Sequence, residues 1–152
     1  MELSRADTTI LNALEDADIV LIPWREDEDG TGVYPEASLT LAKHLRLEQV
    51  NVAFAHDSES RSWLQLLGHG EVSLIAAIAL NVVGSASWDL VRAGFARWID
   101  TLEEGTRLNV KIELYSPSGK KREALEIRGR ASQVLRALND IPEAVRRIRA
   151  NE

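Results

Sequence analysis

No cysteine occurs anywhere in the chain, which excludes disulfides, thiolate nucleophiles and cysteine-ligated zinc. The absence agrees with a reducing compartment, and the expected location is the cytoplasm. Histidine is almost as scarce, at three residues. There is no HExxH metal motif and no GxSxG nucleophile elbow, so neither a zincin-type protease nor an α/β-hydrolase is expected. The start, MELSRADTTILNALEDAD, lacks a basic leader before an apolar run, so no signal peptide is expected. Long hydrophobic runs are also missing. The longest charge-free window, Val72 to Trp88, holds 17 residues and includes Asn81, Gly84, Ser85 and Ser87. A membrane-spanning helix needs ~20 predominantly apolar residues.

What remains is a chain of 152 residues with 45% hydrophobic content, enough for one compact domain with a sizeable core. Charge is uneven along it. The first 76 residues carry 14 acidic against 5 basic side chains, and the remaining 76 carry 10 against 13. Net acidity argues against nucleic-acid binding, because phosphate neutralisation supplies most of that affinity. Heavy use of Arg and Ala suggests a GC-rich bacterial genome.

Hydrophobic spacing predicts an α/β class, with α+β as the alternative, in a single domain over 1–152. Its 1–70 half reads as α/β and its 71–152 half as a long helix followed by ββα. Thr8 to Asp16 reads as a short helix. Ile19 to Ile22, apolar on both faces, reads as a covered strand stopped by Pro23. Arg25 to Gly32 reads as a solvated loop, and Pro35 as the first turn of a helix carrying Leu39, Ala42 and Leu45. Val50 to Asp57 reads as a second strand, parallel to the first across that helix. A helix with Trp63, Leu64, Leu66 and Leu67 should follow it. The 72–88 window predicts the apolar end of a long amphipathic helix, continuing through Leu90, Val91, Phe95 and Trp98 to Leu102. LNVKIELYS and KREALEIRG alternate at period two around Pro117-Ser118-Gly119 and predict an antiparallel hairpin. ASQVLRAL and the segment from Ile141 predict closing helices.

Candidate chemistry is thin. His56-Asp57 at a strand end is the best catalytic candidate, since sites gather at strand carboxyl ends and such a pair can bind metal or move protons; His44 and His69 are the residues that could join it. The competing reading is that the pair caps the following helix, and no metal site or cofactor is expected. Lys120, Lys121 and Arg122 could meet phosphate, or simply discourage edge-to-edge strand pairing. Four tryptophans are a richer signal: some must anchor the core, and an exposed one would be a hot spot for a protein partner. Trp88, Trp98, Leu80, Val83 and Phe95 on the apolar helix are the expected interaction residues. The expected partner is a protein effector or a second copy, making a homo-oligomer. Peripheral membrane attachment through 72–88 is the further alternative.

Two stretches resemble known families. VNVAFAHDSESRSWLQLL resembles the opening strand and helix of TIR and SEFIR domains, which would imply a TIR-like or metal-dependent hydrolase centred on His56 and Asp57. The succession AIALNVVGSASWDLV, LNVKIELYSPSGKKREALEIRG and ASQVLRAL, over residues 71–139, is similar to the effector-associated constant component family of bacterial conflict systems. That resemblance implies a small non-enzymatic regulatory protein that links an effector to its sensor in anti-phage defence.

Overall fold

The computed structural model describes residues 5–64, 74–81, 88–116 and 122–150. It has a mixed α/β architecture with two sheets. The larger sheet has five strands in the order β4-β1-β6-β7-β8, where β1 is Ile19–Leu21, β4 Val52–Phe54, β6 Leu74–Asn81, β7 Arg107–Tyr115 and β8 Arg122–Arg130. β1 runs parallel to β4, with Ile19 opposite Val52, and antiparallel to β6. β6 and β7 are parallel, and β7–β8 is the antiparallel hairpin that the alternation predicts. A smaller sheet, β2-β3-β5, joins β2 (Arg25–Glu26), β3 (Gly32–Pro35) and β5 (Arg61–Leu64).

Helices cover both faces of the large sheet. α2 (Ala37–Leu47), α3 (Trp88–Asp100) and α4 (Ala131–Ala137) lie on one side. Their apolar stripes meet the inward row Ile19, Leu21, Ala76, Ile78, Leu80, Leu108, Val110, Ile112 and Leu114. α1 (Arg5–Leu14) covers the other side, where Ile10 and Leu14 meet Val20, Ile22, Ala77, Ala79 and Tyr115. α5 (Ile141–Ala150) closes the chain. Gly94 of α3 lets that helix lie against α2, since a Cβ there would stand 2.7 Å from Leu45 Cδ2 and 3.0 Å from Leu45 Cα.

The structure corrects the apolar window. Residues 74–81 form a strand at the centre of the sheet, and Ala76 to Leu80 are buried. Sandwiched between helix layers, β6 has no wet face, so the period-two alternation that would reveal it is erased. The helix begins only at Trp88. No helix among the described residues is long and apolar enough to cross a membrane. The helix expected after Asp57 is instead one 3₁₀ turn, Ser58–Ser60, running into β5. The loop expected over 25–32 is largely a β2–β3 hairpin, and Pro35 ends β3 rather than opening a helix.

Candidate functional site

The carboxyl ends of the parallel pair β1 and β4 are where ligands gather in α/β sheets, and the small sheet is built there. Residues paired across neighbouring strands project to the same side. One lateral row is therefore Glu26, Gly32 and Arg61. The next pairs Tyr34 with Trp63, their ring centroids 5.7 Å apart. His56, just past β4, lies over Gly32: a Cβ on that glycine would stand 2.6 Å from His56 Nδ1. Phe54 meets Tyr34 and Trp63 edge-on at 5.3 and 5.8 Å.

Hydrogen bonds fix His56. Its backbone N–H donates to the Tyr34 hydroxyl oxygen at 3.1 Å, and the same oxygen lies 3.0 Å from His56 Nδ1. Tyr34 is fully buried. Its hydroxyl makes hydrogen bonds with both the backbone N–H and the Nδ1 of His56. Nε2 faces Glu26 Oε2 at 3.7 Å. Arg61 Nε donates to the His56 carbonyl at 2.7 Å, which sets its guanidinium 4.2 Å from the centroid of the Phe54 ring.

Burial pushes the Tyr34 hydroxyl up to about 12, so it stays protonated and serves neither as base nor as nucleophile. The stability it contributes is complete below its ordinary value of 10.0 and is lost as pH rises toward 12. Urea unfolding of the native chain and of Tyr34→Phe should therefore differ most at neutral pH, by about 1–3 kcal/mol for the lost buried hydrogen bonds. The gap should narrow through the alkaline range; a constant gap would show that the hydroxyl titrates alike in both states.

Each residue singled out in the sequence now has a place. His56 is near the strand end as expected, with Nδ1 tied to the Tyr34 hydroxyl. Asp57 is exposed, heading the 3₁₀ turn without a side-chain cap. His44 is elsewhere, on α2, with Nδ1 2.7 Å from the Thr40 carbonyl oxygen. No group of three or more His, Asp or Glu side chains that could hold a metal occurs among the described residues. Three of the expected interaction residues are in the core: Trp98 and Phe95 are fully buried and Leu80 is 7% exposed. They are corrected to core residues, because the stripe Val91, Phe95, Trp98 faces the sheet. Trp88 is half-buried and packs against the same core. Val83, His69, Lys120 and Lys121 lie outside the described residues; Arg122 begins β8.

The exposed aromatics are others. Trp24 is 50% and Trp63 40% exposed, close in the fold to the charged pair Glu26 and Arg61. Tyr34 and Arg61 were not singled out in the sequence. Neither GVYP nor RSWL, on either side of His56, alternates in polarity, and each strand is only four residues long, so neither announced itself. The arrangement presents exposed indole surface beside one charge of each sign, Glu26 and Arg61. Comparison with family models, curated proteins and solved structures finds no match to this chain.

Proposed function

We propose that this chain is a non-enzymatic interaction component of a bacterial conflict system, acting in the cytoplasm and binding a protein effector through the small-sheet face around Trp63 and Trp24. The observation that carries the reading is the pair of exposed tryptophans, Trp24 and Trp63. Tryptophan dominates protein hot spots because a rigid ring buries much area at little entropic loss. Arg61 and Glu26 flank it with one charge of each sign, suited to orienting a polar partner surface. The similarity of residues 71–139 to effector-associated components supports an effector as the partner. Against the hydrolase alternative centred on His56 and Asp57 stands the Tyr34 bond, which ties up one of the two ring nitrogens, while Asp57 is exposed at the head of the 3₁₀ turn.

The test is calorimetric titration of the purified chain against the products of adjacent genes. A Kd in the micromolar range or tighter is expected for one of them. The double substitution Trp24→Ala and Trp63→Ala should weaken it by at least about thirtyfold, on the scale of ~2 kcal/mol for a hot spot. Binding that ignores the double substitution, or no binding to any neighbour's product, would refute the reading.

A further inference from the structure

The five-stranded sheet ends unequally. At one margin is β4, three residues long; at the other is β8, nine residues long and paired without a bulge from Arg122 opposite Tyr115 to Arg130 opposite Arg107. Among the described residues nothing pairs with the outer edge of β8. A long, regular edge is a template for another strand, and proteins that keep such edges free shorten, bulge or interrupt them with proline or lysine. β8 is neither short nor bulged and has no proline or lysine between Arg122 and Arg130; the charges it does carry, Arg122, Glu123, Glu126, Arg128 and Arg130, restrict it to a partner strand that matches them. Its helix-side row includes Leu125 and Ile127, packed on the core but only partly buried. The opposite row, Ala124, Glu126, Arg128 and Arg130, is exposed.

The exposed row is self-complementary in one register. An antiparallel partner copy with Ile127 opposite Ile127 sets Glu126 of each chain against Arg128 of the other. It also places half-buried Leu125 opposite Gly129, where no side chain competes for space. A shift of two residues either way, the smallest that keeps each row on its own side, opposes Glu126 to Glu126, or sets Arg128 against Arg128 on the axis while pairing Glu126 with Arg130. Within one chain Arg128 Nε already donates to Glu126 Oε1 at 2.6 Å, and that bond is the first cause holding the Glu126 carboxyl below its ordinary range. Both charges are thus present and poised on the strand.

We propose that the chain forms a two-fold dimer by antiparallel pairing of β8 with β8 of a second copy, in the register that crosses Glu126 with Arg128 and places Ile127 on the axis. The dimer joins two five-stranded sheets into one and covers the edge. It is independent of effector binding, which uses the small sheet.

Sedimentation equilibrium across micromolar to hundreds-of-micromolar concentrations should show a dimer. Glu126→Arg or Arg128→Glu alone should each raise its dissociation constant by about tenfold, since two opposed pairs become like-charged. Combining them should restore it. Both sites are exposed, so circular dichroism should be unchanged. In this cysteine-free chain, Ile127→Cys should cross-link to itself on oxidation, because directly opposed side chains have Cβ atoms ~5 Å apart; Leu125→Cys, opposite glycine, should not. A strict monomer, or a dimer indifferent to charge reversal, would overturn the proposal.

Discussion

Trp98→Ala should destabilise the fold by about 3–5 kcal/mol, the usual range for emptying a large aromatic from a core, and leave much of the protein unfolded at growth temperature. Trp98 heads the roll of fully buried side chains by volume. It meets Phe95 edge-on at 6.2 Å and reaches across α2, where its Nε1–H donates to Thr40 Oγ1 at 3.1 Å. α2 and α3 are held in contact at Gly94, so their backbones are already close and cannot collapse far into the space an alanine would leave. Trp98→Phe keeps most of the volume and loses the Thr40 bond, and should cost about 1–2 kcal/mol. Urea unfolding followed by far-ultraviolet circular dichroism measures both. The experiment also separates two roles for a tryptophan: a docking residue would leave the midpoint in place and weaken only partner binding. An unchanged midpoint for Trp98→Ala would contradict the burial.

The parts of the fold legible in sequence are those with one wet face. β7 and β8 alternate cleanly because Lys111, Glu126 and Arg128 stand in water opposite the row of Leu108, Val110 and Ile112. β1 was legible for a different reason: four apolar residues bounded by Asp18 and Pro23 are too few for a helix. β6 defeated the same logic. It is buried on both faces, rich in alanine, and followed without charge by residues leading to a real helix, so its run looked like that helix's apolar end. Burial on two sides and helical amphipathicity differ in sequence only through length and flanks, and here the flanks were uninformative. Trp98 followed from that error. Its spacing from Val91 and Phe95 is core spacing once the sheet beneath it is known.

The candidate site was half legible. His56 and Asp57 end a strand, which the pattern gave, but their surroundings come from residues 22 to 30 positions earlier and a few later. Glu26 reads as one acid in a charged run and Tyr34 as an apolar residue before a proline. Only the pairing of β3 with β2 and β5 brings them under the His56 ring. Nothing local in sequence encodes that register, because strands of two to four residues carry too little alternation to specify it.

The strongest demand at that site falls on the residue with no side chain. Gly32→Ala should cost about 2 kcal/mol, although its backbone is in no left-handed conformation and alanine would slightly favour the folded chain through the unfolded state. The added Cβ would stand within 2.6, 2.8 and 2.9 Å of His56 Nδ1, Cε1 and Cγ. Since Cγ is involved, rotating the ring about its own bond does not clear the contact; the whole imidazole must swing away. That breaks the hydrogen bond between the buried Tyr34 hydroxyl and Nδ1, a loss of about 1–3 kcal/mol. The edge-on contact of Tyr34 with His56, at 5.9 Å, is lost as well, worth about 0.5–1.5 kcal/mol for an aromatic pair. A double-mutant cycle isolates the cause. Once His56→Ala has removed the ring, Gly32→Ala should add little further loss, giving a coupling of about 1 kcal/mol or more. Strict additivity of the two substitutions would mean that the glycine is needed for some reason other than the imidazole lying on it.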